Sequence, residues 1–284
     1  MTDTKSQLSD ASIPERAVKK AEAFKEPPPP KRAMSIHAHP DDQEFTVAGT
    51  LAKWARAGSE IMTVCITSGD AGSNEKTDPD MAKHKLALIR EEEQRNACRA
   101  LGVQHVEFLH YPDGTLQPTL ELRRDLTRVI RKYKPDVVVC GDPTVRFYGN
   151  SYMNHPDHRV AADVALDAVF PSAGTRFIFP ELLAEGYEPH RVKKIFIHGS
   201  EKGKTFIDIS STLETKIAAL KEHKSQLGDW DPSKMMQEWA QEGAAEHGLK
   251  YAESFRVMIL QEEEDEEKTG AYAFQSGAII STQD

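Results

Sequence analysis

The sequence predicts a single α/β domain, a mostly parallel sheet with helices on both faces. Three observations predict it. Short apolar runs rich in valine and isoleucine, the kind that a sheet buried on both faces requires, alternate with stretches of helical period. Apolar residues make up 39% of the 284, enough for one sizeable core. The side chains capable of chemistry fall directly after strands, where crossover helices begin.

Residues 1–30 are polar, end in the run Pro27 to Pro30, and read as a flexible arm. Within it 17–24 has the spacing of a short amphipathic helix. The domain proper is expected over 31–261. A first strand over 33–38 is followed by helical spacing over 45–56, with Gly58 as its stop. A second strand covers 61–67. After a polar loop come a long helix over 82–101 closed by Gly102, a strand over 106–109, a helix over 120–133 and a strand over 136–140.

The loop 141–154 has no predicted structure of its own, which marks it as a lid or rim. A helix over 159–169, strands over 195–198 and 206–209, and helices over 211–223 and 232–246 follow. Residues 251–260 end in an apolar run that is expected to close the sheet. The tail 262–284 opens on nearly continuous charge and reads as solvated.

The charge balance excludes some partners. With 36 basic against 45 acidic residues the net charge is −9, which argues against nucleic acid and against anionic membrane. No stretch approaches the ~20 apolar residues of a bilayer span, and the N-terminus lacks a signal-peptide core. A cytoplasmic protein is expected. Cys65, Cys98 and Cys140 have no metal-binding or redox spacing and read as small core residues.

Two motifs carry chemistry. His39-Pro40-Asp41-Asp42 follows the first strand, and His155-Pro156-Asp157-His158 lies in the loop after the strand ending at Cys140. A catalytic zinc site commonly takes two histidines and a carboxylate and keeps one position open. The two motifs offer such a set with groups to spare for proton transfer and charge stabilisation. Alone, either could be a turn or a helix cap, since proline suits a first helical position and acidic side chains complement a helix dipole.

Ala38-His39-Pro40-Asp41-Asp42-x-Glu44 and His155-Pro156-Asp157-His158-Arg159 resemble the paired signatures of the PIG-L/LmbE family of metal-dependent deacetylases. Residues 67–72, Arg90-x-x-Glu93, 111–114 and 223–226 resemble weaker blocks of the family in the same order. Tyr152-Met153-Asn154 is similar to the family's archaeal chitin-disaccharide members. The resemblance implies a Rossmann-like, LmbE-like fold and hydrolysis of the acetamido group of an N-acetylglucosamine-containing substrate.

It further implies that His39, Asp42 and His158 bind Zn2+, with Fe2+ or Co2+ as other divalent candidates, and that Asp41 is the general base. His155, protonated and oriented by Asp157, would stabilise the oxyanion. Arg90 and Asp113 would lie near the sugar hydroxyls, although an ion-paired surface arginine and a turn aspartate are equally good readings. Tyr152 is a candidate sugar contact, Met153 standing where some members carry tyrosine. Self-association into a homo-oligomer is expected by the same resemblance, and the partner is a small amino sugar.

Glu44 reads as complementing a helix dipole, and 223–226 as a helix end with a basic cap. His37 is expected to face the core. A dinucleotide-binding enzyme is disfavoured because no G-x-G-x-x-G follows the first strand. An amidase acting on a larger acyl-glucosamine conjugate, and a non-catalytic sugar-binding protein, are the remaining alternatives.

Overall fold

The computed structural model describes residues 26–74, 77–242 and 244–261. The expected helix over 17–24 and the charged tail 262–284 lie outside the described residues. Four parallel strands form the first half of the sheet: β1 (Arg32–His37), β2 (Glu60–Thr67), β3 (His105–Tyr111) and β4 (Val137–Gly141). Helices α1 (Asp42–Thr46) and α2 (Ala48–Arg56) cross from β1 to β2. Helix α3 (Lys83–Leu101) joins β2 to β3, and α4 (Leu120–Tyr133) joins β3 to β4. Their ends follow local chemistry: Gly102 ends α3 at φ 79°, and Thr119 caps α4 by accepting from Leu122 N.

After β4 come a small hairpin, β5 (Phe147–Tyr148) against β6 (Tyr152–Met153), and helix α5 (Pro156–Asp167). The loop expected over 141–154 therefore has structure of its own. Helix α5 begins three residues before the expected start, because His155 caps it through its side chain and Pro156 occupies the first turn. A kinked segment, Ala168–Ala173, broken by the extended backbone of Phe170, and the short helix α6 (Glu181–Ala184) lead to β7 (Lys194–His198) and β8 (Thr205–Asp208). The last elements are α7 (Leu213–Leu220), α8 (Lys224–Leu227), α9 (Ser233–Gln241) and β9 (Ala252–Ile259).

The sheet order is β3-β2-β1-β4-β7-β9-β8. The final strand does not close an edge as expected: it inserts between β7 and β8, antiparallel to both. Side chains alternate between two cores. Ala33, Val137 and Val139 pack with Leu51, Trp54, Leu101 and Ile217, whereas Met34, Ile36 and Val138 pack with Leu126, Ile130 and Val164. That two-sided burial is why the strands read as apolar runs rather than alternating ones.

Residues 26–30, assigned to the arm, belong to the body. Glu26 pairs with Lys53 at 2.7 Å and accepts from Asp208 N at 3.2 Å, while Pro30 O accepts from Ser59 Oγ. Among the described residues no helix is long and apolar enough to cross a membrane.

The order of the sheet positions the site. From β1 the chain winds one way through β2 and β3, then returns to place β4 on the other side of β1. The β1/β4 boundary is thus the switch point of the sheet, where a crevice opens beyond the strand ends. The first motif starts there, and the second is brought to it by the β5–β6 hairpin.

Candidate active site

His39 leaves β1 with its ring almost buried, and its two nitrogens face different partners. Nδ1 lies 3.2 Å from His158 Nε2 and 3.6 Å from Asp42 Oδ2, and His158 Nε2 lies 3.0 Å from Asp42 Oδ1. On the far side, Nε2 lies 2.9 Å from Asp113 Oδ1 and 3.4 Å from Asp157 Oδ2. The acidic groups at Nε2 keep that nitrogen a protonated donor, so Nδ1, facing Asp42 and His158, is the atom that would give up its proton to bind a cation.

The three inward donors fit a metal. Bonds of ~2.0–2.1 Å to a tetrahedral ion place neighbouring ligand atoms ~3.3 Å apart, and the observed separations of 3.0, 3.2 and 3.6 Å bracket that edge. Each donor is also held from behind. Asp42 Oδ2 accepts from His39 N at 2.9 Å, and His158 Nδ1 lies 3.3 Å from Asn154 Oδ1. Such backing orients ligands before an ion arrives.

His39, His155 and His158 also have donor atoms within 4.8 Å of one another. The His155 ring stands further out, its centroid 5.0 Å from that of His39 and 5.2 Å from that of His158. The tighter set is the one containing Asp42. A third cluster, His39 with Asp113 and Asp157, uses the nitrogen that faces away from it.

Electrostatics follow from this packing. Burial alone would lower His39, but Asp42, Asp113 and Asp157 together push it up to about 12. Burial likewise opposes Asp42, yet His158 and His39 hold its carboxyl well below the usual range. Asp113 is drawn down to about 2 against the cost of burial, mainly by its bond to His39. The cluster is an alternating set of charges, the arrangement that a cation replacing the protons would exploit.

Asp41 sits beside this cluster with unusual backbone. Its φ of 89° is left-handed, a conformation that costs a non-glycine residue about 1–3 kcal/mol and needs external support. The support comes from α3. Arg90 donates to Pro40 O at 2.7 Å and to Asp41 Oδ2 at 3.1 Å, and Gln94 Oε1 accepts from Asp41 N at 2.9 Å. Burial pushes the Asp41 carboxyl up to about 6, against the pull of the Arg90 guanidinium.

Arg90 is thus neither solvated nor merely ion-paired. It is 3% exposed and also donates to Gly69 O at 2.9 Å. Gly69 and Gly72 form its cradle, since a Cβ at either would collide with the guanidinium.

Asp157 departs from expectation. Its carboxylate accepts from Gly114 N at 2.7 Å and Leu116 N at 3.2 Å and faces His39; it is the Asp157 amide that meets His155, donating to Nδ1 at 3.2 Å. The first turn of α5 turns the carboxylate inward and leaves the imidazole as the helix cap. His155 is therefore held as an Nε2–H tautomer, and burial, with His39 and His158, lowers its pKa. The protonated, Asp157-charged imidazole expected from the sequence does not fit this geometry.

The remaining expectations divide. Asp113, expected near sugar hydroxyls, is buried against His39 and accepts from Ala71 N at 2.8 Å. Tyr152 lies half exposed on β6, its ring 6.0 Å from that of Tyr148. His37 is buried, bonded to Ser35 Oγ at 2.6 Å and stacked on His198.

Glu44 and His223, expected as dipole complement and helix end, instead meet each other in the interior. Both are fully buried, with His223 Nε2 3.2 Å from Glu44 Oε2, and Ser225 donates to Glu93. The signal that finds Arg90 and Gln94 is their i,i+4 placement on the stripe of α3 that also carries Leu86, Ala97 and Leu101. Polar residues on an apolar stripe are there to bond something.

The family model described as GlcNAc-PI de-N-acetylase, PIG-L, matches residues 34–169, a span that includes both motifs. The diacetylchitobiose deacetylase of Thermococcus kodakarensis is 32% identical over 233 residues, covering 80% of this chain and 83% of that protein. The 1D-myo-inositol 2-acetamido-2-deoxy-alpha-D-glucopyranoside deacetylase of Mycobacteroides abscessus is 29% identical, covering 69% and 82%. The structure of N,N'-diacetylchitobiose deacetylase from Pyrococcus horikoshii complexed with its inhibitor MPG aligns with a TM-score of 0.73 at 31% identity, over 81% of this chain and 84% of that one. By this extent of likeness in sequence and fold, the chain belongs to the PIG-L family of de-N-acetylases.

Proposed function

We propose that this protein is a zinc-dependent hydrolase that removes the acetyl group from a small N-acetylglucosamine-containing substrate, releasing acetate and a free amino sugar. The observation that carries the reading is the convergence of His39 Nδ1, Asp42 and His158 Nε2 within 3.0–3.6 Å, backed by Asp113, Asp157 and Asn154. Two imidazoles and a carboxylate suit zinc, and Fe2+ or Co2+ would accept the same donors. A bound ion would polarise a water and the amide carbonyl.

The chain's own residues supply the rest. The Asp41 carboxylate, steadied by Arg90, takes the proton of the attacking water and later returns it to the departing amine nitrogen. His155, its Nδ1 engaged by the Asp157 amide, offers Nε2–H to the developing oxyanion. Asp157 and Asp113 act on His39, fixing its tautomer and ring plane. Tyr152 offers an aromatic face at the rim, where a sugar ring could stack. The substrate class is supported by the named substrates of the relatives, each an acetylated glucosamine compound.

The test is acetate release from N-acetylglucosamine, diacetylchitobiose, and inositol-linked and malate-linked N-acetylglucosaminides, with and without a chelator, followed by zinc, iron or cobalt replacement. Release from at least one, abolished by chelation and restored by metal, is the expected result. Release that persists in chelator sinks the metal reading, and turnover confined to a larger acyl-glucosamine conjugate moves the substrate class.

A further inference from the structure

We propose that Glu44 and Gln94, braced by His223, are positioning residues that aim Asp41. The inference rests on the reading of Asp41 as the group that takes the water proton.

A side-chain amide has two ends, one donating and one accepting, and its neighbours decide which way it faces. Gln94 has a decisive neighbour at each end. Its Nε2 lies 3.0 and 3.2 Å from the two Glu44 oxygens, and its Oε1 lies 2.9 Å from Asp41 N. A carboxylate only accepts, so it must meet the NH2 end, and that choice turns the carbonyl toward the Asp41 amide. Reversed, the NH2 group would face an N–H. Glu44 therefore sets the bond that Asp41 receives.

Glu44 is held as firmly as Gln94. Gln43 Nε2 donates to its Oε1 at 2.7 Å, and His223 Nε2 meets its Oε2 at 3.2 Å. Glu44 and His223 are both fully excluded from solvent, and His223 Nδ1 has no hydrogen-bond partner among the described residues. The imidazole thus spends its only described bond on Glu44. A buried ionisable pair is a poor source of stability compared with apolar packing, so its placement against Gln94 points to a geometric task.

That task is set by the Asp41 backbone. With φ at 89° the residue must be held from outside. Arg90 grips the preceding carbonyl and the carboxylate, and Gln94 grips the amide. Two grips on one peptide fix the direction in which the carboxylate leaves it.

The test compares the full-length protein with Glu44→Gln, Gln94→Met, the double variant, and Leu126→Ala, a destabilising change in the core on the other face of the sheet. Glu44→Gln gains a donor and frees the Gln94 amide to turn over. Exchange of the Asp41 amide hydrogen, which needs no substrate, is expected to rise by about 10-fold or more in Glu44→Gln and Gln94→Met. Their kcat is expected to fall about 10- to 100-fold at unchanged KM and unchanged metal per chain. The double variant should be no worse than Gln94→Met alone, and Leu126→Ala should keep kcat and Asp41 protection. Unchanged Asp41 exchange in Glu44→Gln overturns the inference, as does an equal kcat loss in Leu126→Ala. A parent that releases no acetate from any substrate refutes the base reading instead, and the exchange result still decides the positioning claim.

Discussion

Asp41 and Asp42 are adjacent in sequence, yet their surroundings give them opposite tasks. Asp42 faces two imidazoles and is held ionised; Asp41 faces one guanidinium and is raised by burial. Asp41→Asn should therefore retain one metal per chain while losing at least about 100-fold in kcat, the scale of a missing general base. Metal analysis beside acetate release checks it, and near-parental turnover would remove Asp41 from the mechanism. Asp157 calls for a different outcome, because its carboxylate faces His39 and two backbone amides. Asp157→Asn is expected to weaken metal affinity by about 10- to 100-fold, with a smaller loss once metal is saturating. If saturated Asp157→Asn is inactive at unchanged affinity, Asp157 serves His155 after all. The residue types at the candidate metal site were legible in the two motifs, since each sets histidine beside carboxylate after a strand, and the family resemblance singled out His39, Asp42 and His158 among them. The partner of Asp157 was not legible, because which way a side chain leaves the first turn of α5 depends on loop 112–116 arriving from β3.

At the scale of elements, most helices and strands could be read from period and punctuation, and the departures have local causes. The expected helix over 45–56 begins earlier and breaks at Val47. That break is stabilised from far away in sequence: Glu253 on β9 accepts from Gly49 N and Thr50 N, and Lys216 on α7 donates to Thr46 O and to Glu253 at 2.6 Å. No period announces a lysine and a glutamate that meet from two other elements, so the joint was invisible in the local pattern. Lys216→Met leaves Glu253 buried without its counter-charge and is expected to cost about 3–5 kcal/mol. Urea unfolding measures it, and a loss under about 1 kcal/mol would mean that the helix amides alone satisfy Glu253. The hairpin β5–β6 was hidden for another reason: two-residue strands are too short to display alternation.

For the whole molecule, the sheet's first half was predictable because right-handed crossovers leave few ways to order parallel strands. The insertion of β9 between β7 and β8 depends on contacts far apart in sequence. One consequence of the assembled sheet is a pH dependence of stability. His37 on β1 and His198 on β7 stack across β4 at 5.4 Å. Burial lowers His37 to about 4 against the pull of Asp42 and Glu44, and burial, with His37 and against Asp42, lowers His198 to about 3. Both are neutral in the fold, whereas an unfolded chain protonates them near 6.5. The unfolded state therefore binds more protons below that value, so their contribution is fully present above about pH 6.5 and is lost as pH falls toward 4. Protonating one stacked ring further opposes the other, so the two act together rather than as independent sites. In chelator, to keep metal release out of the measurement, the two rings together should cost about 4 kcal/mol of stability between pH 7 and pH 5, about 2 kcal/mol for each. His198→Phe keeps an aromatic ring against His37 and removes one proton site, so it should flatten that slope by roughly half or more. An equally steep acid limb in His198→Phe would assign the loss to carboxylates elsewhere in the fold.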